Sequence, residues 1–313
     1  MVATSTSTSE GWSSRSAFIL AAIGAAVGLG NIWRFPTLAG ESGGGAFVIF
    51  YIGCVFLLGL PLVLSEIFIG RAGQTDAVGS IRKVARDSNV SQAWSIFGGI
   101  GALAAFLILS FYSVVAGWVL YYAGVFGADL IQAIGAGDPF RSALAGESQA
   151  MIEGRMGDLF GNVGLLLAMH FCFMGATLFI VARGVHSGIE AAATILMPMF
   201  FVLLVGITIY GAIVGDLTDT LAFLFTPDWS KLTPAVMNSA LGQALFSLSL
   251  GVAGLITYGS YIKGSDGLGG TAALIAVADT GVALLAGLMI FPVVFAVGLD
   301  PAAGPTLVFQ SLP

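Results

Sequence analysis

The chain has 313 residues, of which 57% are hydrophobic and 9% are charged, and its mean hydropathy is +0.97. Soluble domains carry about a quarter charged residues, so this composition excludes an ordinary soluble protein and indicates a polytopic membrane protein. The formal net charge of −6 offers no basic surface for a nucleic-acid partner. Cys54 and Cys172 fall in apolar segments, which predicts buried free thiols without a disulfide framework.

Apolar segments of about 20 residues cross a bilayer as helices, and about seven such spans are predicted. They cover roughly residues 15–37, 43–70, 94–127, 161–182, 188–212, 235–262 and 271–298. Residues 1–14 lack the basic start of a signal peptide and are predicted to be a flexible cytoplasmic tail. Inner loops are predicted at 71–93, 183–187 and 263–270, and outer loops at 128–160 and 213–234.

The distribution of basic residues predicts the orientation of these spans. With the N-terminus inside, seven basic residues fall in inner segments and three in outer loops, as the positive-inside rule requires. The inner set is Arg15, Arg71, Arg82, Lys83, Arg86, Arg183 and Lys263, and the outer set is Arg141, Arg155 and Lys231.

The first span contains residues that a plain membrane helix avoids. Residues 24–41 read GAAVGLGNIWRFPTLAGE, in which glycines at 24, 28 and 30 precede Asn31, Arg34 and Pro36. Glycine costs about 1 kcal/mol relative to alanine in a helix, and polar groups at membrane depth usually mark a site or a pathway. The pattern predicts a helix broken in its middle, with backbone groups free to bind a ligand.

The sixth span has a similar interruption. Near its middle lie Ser247, Ser249, Gly251 and Gly254. Two broken helices in corresponding halves of a chain point to a binding site at the bilayer midplane. Close packing of small residues is the alternative explanation, and the nearby polar residues Gln243 and Asp279 favour the binding site.

Residues 11–74 carry two irregular motifs, GLGNIWRFP and GGGAF. With them the chain resembles the neurotransmitter:sodium symporter family, and the similarity to bacterial amino-acid transporters continues along the whole chain. The resemblance implies an all-α polytopic membrane protein with the LeuT-like inverted-repeat transporter fold, in which helices 1 and 6 are broken. Residues 15–212 would form the first five-helix repeat, 213–234 an outer loop, and 235–313 the start of the second repeat.

The same resemblance implies that part of the fold lies beyond Pro313. In this family the hydroxyl ligands of the second sodium site and the acidic partner of Arg34 belong to later helices. The chain is therefore expected to be a partial record of a longer transporter, not competent for full sodium-driven transport as written.

The resemblance also assigns site residues by position. A first sodium ion would bind Ala26, Asn31, Ser247 and Asp279, together with the substrate carboxylate, and a second would use Gly24 and Val27. The substrate-binding set would be Ala26, Gly28, Leu29, Gly30, Ile108, Tyr112, Phe246, Ser247, Ser249 and Val252. Arg34 and Phe246 match the outer gate; Trp12, Arg15 and Tyr261 match the inner closure; Tyr51, Gln243, Ser247 and Asp279 match the chloride site of chloride-dependent members.

These assignments imply sodium-coupled symport of a neutral, apolar or aromatic amino acid by alternating access, with sodium as the co-transported ion and no organic cofactor. Asp279 places a fixed negative charge where the family often carries asparagine, so chloride-independent transport is expected. Val252 is smaller than its counterpart in some members, which leaves room for a large apolar substrate. The expected location is a prokaryotic inner membrane, with a cytoplasmic N-terminus.

Two features fall outside these sets. Glu66 is expected to be a buried structural or proton-linked acid without substrate contact. Gly188 and Pro198, with nine residues between them, resemble a family feature tied to opening of the fifth helix on the cytoplasmic side. A simple proline kink is the alternative.

A different class of function is the alternative for the chain as a whole. It would be a truncated, non-transporting membrane protein, either a regulatory or assembly partner of a full-length symporter or a gene fragment. Sodium-dependent binding by the isolated chain separates the two classes. An enzyme is not expected, because the sequence has no HExxH motif and no histidine near the candidate acids.

Overall fold

The computed structural model describes residues 11–138, 149–262, 267–302 and 304. Four sequence features fall outside this part of the chain. They are the tail at residues 1–10, the outer-loop segment 139–148 with Arg141, the inner-loop segment 263–266 with Lys263, and the final segment at residues 303 and 305–313.

All regular elements of the described residues are helical, which confirms the predicted all-α class. In chain order the helices are α1 (Arg15–Ala26), α2 (Gly30–Glu41), α3 (Gly45–Gly73), α4 (Ala77–Asp87), α5 (Gln92–Gly135), α6 (Gln149–Gly161), α7 (Val163–Val181), α8 (Val185–Val214), α9 (Leu217–Phe225), α10 (Pro234–Ser247), α11 (Gly254–Ser260) and α12 (Leu268–Ala296). Single π-helical turns lie within α2, α3 and α8, at Gly30–Arg34, Val55–Gly59 and Val185–Glu190.

Among the described residues, five helices are long and apolar enough to cross a membrane by themselves: α3, α5, α7, α8 and α12. Helices α1 and α2 form a sixth span if the bent pair, at 46°, counts as one. The remaining predicted span, 235–262, consists of α10 and α11, which have 14 and 7 residues and are too short to cross alone.

The two breaks follow from the local backbone. Helix α1 ends at Ala26 because Val27 is extended, with φ −74° and ψ 119°. Between α10 and α11 the backbone turns through the left-handed region at Ser249, Gly251 and Ala253, with φ of 53°, 78° and 63°. Only glycine adopts this region without a steric cost, so the serine and the alanine are held there by their surroundings.

Helix α12 is the centre of the core. Most of its residues are buried, and it packs against α2, α3, α8 and α9. Helix α11 crosses α3 at a close contact made by glycines. A Cβ atom placed on Gly259 would lie 2.6 Å from the carbonyl oxygen of Ile67, and one on Gly70 would overlap the carbonyl oxygen of Ile256.

Other helices turn their apolar side chains outward. None of the described residues of α7 is buried, and large apolar residues of α5 are exposed along its length. Such a surface suits lipid rather than water. The prediction for the cysteines is right for Cys54, which is buried, and wrong for Cys172, which is exposed because it lies on α7.

Three predicted loops contain short helices that the sequence analysis did not separate from loop. Helix α4 lies in the segment 71–93, α6 in 128–160 and α9 in 213–234. Asp76 caps α4 by accepting a hydrogen bond from the Gly79 N–H at 3.0 Å. This bond stabilises the charged carboxylate and lowers the pKa of Asp76 below its usual value.

We expect Gly70→Ala to destabilise the protein by about 1–3 kcal/mol, because the added methyl group overpacks the contact with α11. Gly53→Ala is the matched control in the same helix, since a Cβ there meets no atom within 4 Å. Thermal unfolding in detergent measures both variants. Equal melting temperatures for the two variants would show that α3 and α11 do not pack this closely.

Candidate functional site

Three side chains from separate helices meet in one buried hydrogen-bonded cluster. Asn31 Nδ2 donates to Asp279 Oδ1 at 2.7 Å and to Ser247 Oγ at 2.9 Å, and Ser247 Oγ donates to Asp279 Oδ2 at 2.7 Å. Asn31 and Asp279 are fully buried, and Ser247 is 1% exposed. The cluster therefore joins the first break, the end of α10 and the middle of α12.

The other end of the Asn31 amide explains how the first break is held open. Asn31 Oδ1 accepts the Gly28 N–H at 3.0 Å. In a continuous helix that N–H would bond to the carbonyl of Gly24. The amide thus takes the donor away from the helical ladder, and the Gly24 carbonyl loses its helical partner.

Tyr51 and Thr280 complete the wall around the cluster. The fully buried Tyr51 hydroxyl lies beside Ser247, Asp279 and Thr280. Thr280 itself donates to the Ala276 carbonyl at 2.8 Å. Buried oxygen-bearing side chains thus lie side by side here, a setting that suits a hard cation better than an apolar ligand.

Gln243 lies near this cluster but has a separate set of partners. Its Oε1 accepts from Arg34 Nη1 at 2.8 Å, and its Nε2 donates to the Gly30 carbonyl at 2.7 Å. The residue is fully buried, and both halves of its amide are used. Gln243 therefore links the first break to the guanidinium of Arg34, a link that the sequence analysis did not foresee.

Arg34 lies over the ring of Phe246, with its guanidinium carbon 4.7 Å from the ring centre. Tyr112 meets the same ring edge-on at a centroid distance of 6.0 Å. Tyr112 and Phe246 line two cavities, and Arg34 lines the first of them. The first, of about 410 Å³, is lined by Trp33, Arg34, Thr37, Leu38, Glu41, Ile108, Phe111, Tyr112 and Phe246.

The second cavity has a volume of about 260 Å³ and is lined by Ala25, Ala105, Ile108, Leu109, Tyr112, Phe246, Ser249, Leu250 and Val252. Five residues of the predicted substrate set, Ile108, Tyr112, Phe246, Ser249 and Val252, thus line one space. Ser249 also ties the two breaks together, because its hydroxyl donates to the Ala25 carbonyl at 2.9 Å.

The remaining predicted substrate residues lie along the first break. Leu29 directly precedes α2 and Gly30 begins it, and the first N–H groups of a helix have no acceptor within it. Gly30 packs closely, since a Cβ there would lie 3.2 Å from the Phe246 ring. The start of α2 therefore presents free donors and a partial positive charge beside the second cavity.

The residues predicted for the inner closure also lie together. Trp12 Nε1 donates to the Tyr258 carbonyl at 3.1 Å, and its ring meets Tyr261 at 6.4 Å. Arg15 Nη2 lies 3.4 Å from Thr271 Oγ1. A cavity of about 180 Å³ adjoins Trp12, Arg15 and Tyr261.

Glu66 supports the second break from α3. Its Oε1 accepts the Gly251 N–H at 2.7 Å, while its Oε2 is buried without a hydrogen-bond partner. The sequence signalled Glu66 as a buried acid. It did not signal Ala25. This residue accepts the Ser249 hydroxyl with its backbone carbonyl and lines the second cavity.

Comparisons with known proteins agree with this architecture. The sequence profile of the Sodium:neurotransmitter symporter family matches residues 9–130 and 152–298. A sodium-dependent transporter of Bacillus subtilis is 40% identical over 302 residues, which are 96% of this chain and 63% of the relative. A sodium-dependent neutral amino acid transporter of Bos taurus is 27% identical, over 90% of this chain and 40% of its own length.

Among solved structures, the crystal structure of MhsT in complex with L-phenylalanine superposes with a TM-score of 0.84 at 48% sequence identity. The match covers 97% of this chain and 65% of that one. The chain therefore spans less than two thirds of the relatives that it matches.

We expect Asn31→Ala and Asp279→Ala each to lower the free energy of unfolding by about 2–4 kcal/mol, because each leaves a buried polar partner unsatisfied. The double variant should lose at least about 1 kcal/mol less than the sum. Unfolding in mixed detergent micelles measures these values.

Asn162→Ala provides the control, because Asn162 only caps α7 by accepting the Leu165 N–H at 3.0 Å. Its effect, about 1 kcal/mol, should add to that of Asp279→Ala. If the losses of unfolding free energy caused by Asn31→Ala and Asp279→Ala also add in the double variant, the two side chains are not coupled.

Proposed function

The chain belongs to the sodium:neurotransmitter symporter family, and on that premise we propose that it acts in sodium-coupled symport of an amino acid by alternating access. The observation that carries this proposal is the juxtaposition of the Asn31–Ser247–Asp279 cluster with a broken helix and the second cavity. Its relatives are named as sodium-dependent transporters.

The cluster supplies the ligands of one sodium ion. Sodium needs oxygen donors, and Asn31 Oδ1, Ser247 Oγ, the Asp279 carboxylate and the Ala26 carbonyl provide them. In the present arrangement the Asn31 NH₂ group faces the carboxylate, and its oxygen accepts from Gly28. Sodium binding therefore requires the Asn31 amide to turn so that its oxygen faces the ion. The second sodium ion uses the carbonyls of Gly24 and Val27.

The substrate occupies the second cavity. Its carboxylate accepts the N–H groups of Leu29 and Gly30 and the Tyr112 hydroxyl, and completes the sodium site. Its amine meets carbonyls at Ala26, Phe246, Ser247 and Ser249. The side chain fits the apolar wall that Ile108 and Val252 contribute. We propose a neutral, apolar or aromatic amino acid, and L-phenylalanine is the first probe because it is the ligand in the related structure.

The share of the relatives that the chain covers supports a further proposal: residues 1–313 are the N-terminal part of a longer symporter in a prokaryotic inner membrane. The distribution of basic residues supports a cytoplasmic N-terminus. Sequencing the gene beyond the codon for Pro313 tests the first point, since an open frame encoding further apolar helices is expected and an immediate stop codon would overturn it.

We expect L-phenylalanine to raise the melting temperature of the purified chain in sodium chloride and not in choline chloride. Asp279→Ala should abolish this shift, because it removes a sodium ligand. Asp219→Ala, which changes an exposed acid on α9, is the control and should keep the shift. A library of other amino acids tested in the same way defines the substrate class.

A chain that binds no amino acid from the full library, in sodium or without it, would contradict the proposal as it applies to these 313 residues. It would favour the alternative of a non-transporting membrane protein. Sodium-dependent binding without uptake into vesicles would restrict the proposal to the longer polypeptide.

We also expect chloride-independent activity, because Asp279 supplies the negative charge beside Ser247, Gln243 and Tyr51. Replacing chloride by gluconate should leave sodium-dependent binding of the wild type unchanged. Asp279→Asn keeps the shape of the side chain, loses the charge, and should make binding depend on chloride. A chloride requirement in the wild type would overturn this proposal without affecting the proposal of sodium coupling.

A further inference from the structure

Glu190 holds the segment that precedes α1. One carboxylate oxygen accepts the Ser13 N–H at 3.0 Å, and the other accepts the Ser13 hydroxyl. Glu190 is 6% exposed and lies in the π-helical turn at the start of α8. Bonds from two donors to a buried carboxylate are charge-assisted and stronger than neutral ones. Residues 11–14, which the sequence analysis assigned to a flexible tail, are thus fixed at Ser13.

The neighbours of Ser13 attach to two other elements. On one side Trp12 donates to the Tyr258 carbonyl, and its ring packs on Tyr258 at 5.4 Å. On the other side Ser14 caps α1, with its hydroxyl accepting the Ala17 N–H at 3.1 Å. Three consecutive residues therefore join α11, α8 and α1 at the end of the molecule where the cavity of about 180 Å³ lies.

The part of α8 that carries Glu190 is built unlike the rest of that helix. The turn Val185–Glu190 is π-helical, a feature often found at functional sites. Pro198 lies inside α8, and its ring removes the hydrogen bond to the carbonyl of Thr194. Residues 188–198 therefore have weaker internal support than an uninterrupted helix.

We propose that Glu190 is a positioning residue of the inner closure. By binding Ser13 it seats Trp12 on α11, so loss of the Glu190–Ser13 contact loosens the segment 11–14, the start of α8 and α11 together. This inference rests on the proposed transport function and names the contact that couples two parts of its inner gate. Neither Glu190 nor Ser13 touches the sodium cluster or the substrate cavity.

Hydrogen–deuterium exchange of the purified full chain tests the coupling. Glu190→Gln keeps the size of the side chain but replaces one acceptor oxygen by an NH₂ group that faces a donor. Exchange should become about tenfold faster or more, equivalent to about 1.4 kcal/mol, in peptides covering residues 11–18, 185–198 and 254–260. Peptides from α9 should not change.

Three variants separate positioning from a general loss of stability. His186→Ala is the matched control, because His186 Nδ1 lies 3.4 Å from Glu190 Oε2 yet both Ser13 bonds remain without it. Ser13→Ala removes one bond and should give a smaller increase in the same three peptides. Glu190→Asp keeps the charge and should restore part of the protection.

The outcomes distinguish this inference from the proposed function. Faster exchange at 185–198 alone would mean that Glu190 stabilises only its own helix, and would overturn the inference. Unchanged exchange in all three peptides would do the same. Binding of the amino-acid library is measured separately, and its complete absence in the wild type would contradict the proposed function while leaving the exchange result valid.

Discussion

A helix broken at membrane depth must find hydrogen-bond partners for backbone groups that water cannot reach, and the rest of the structure depends on how this demand is met. Side chains from four places supply the partners. Asn31 accepts from Gly28, Ser249 donates to Ala25, Gln243 donates to Gly30, and Glu66 accepts from Gly251. Each partner lies on a different segment from the others, so the breaks exist only when α2, α3, α10 and the link to α11 are assembled.

The same side chains that stabilise the breaks surround the candidate site, so structural and functional roles are not separable there. Asn31 holds the Gly28 N–H with one end of its amide and the Asp279 carboxylate with the other. A ligand that attracts the oxygen of this amide must therefore loosen the backbone at Gly28. Binding and local backbone conformation are coupled through a single side chain, which is the kind of differential contact that shifts a conformational equilibrium.

The sequence was sufficient to predict the helical class and the positions of both breaks, because glycines and polar residues inside apolar spans are rare and costly. It was not sufficient for contacts made by backbone atoms or by side chains distant in sequence. The bond of Gln243 to Arg34 and that of Glu190 to Ser13 depend on how α10 and α8 pack, and no local pattern reports this packing. Likewise, Cys172 and Cys54 lie in equally apolar segments, yet only the packing of α3 and α7 decides which one is buried.

The length of α5 determines how little the site moves when this helix tilts. Its 44 residues extend about 66 Å at 1.5 Å per residue, roughly twice the hydrocarbon thickness of a bilayer. Tyr112 is the 21st of these 44 residues and so lies almost at the midpoint of the rod. A tilt of about 10° around that point would move each end by about 6 Å and leave the Tyr112 hydroxyl nearly stationary. The wall of the second cavity thus lies near the midpoint of the longest helix in the described part of the chain. A tilt of α5 can move its two ends by several ångströms while the distances around Tyr112 in the cavity change little.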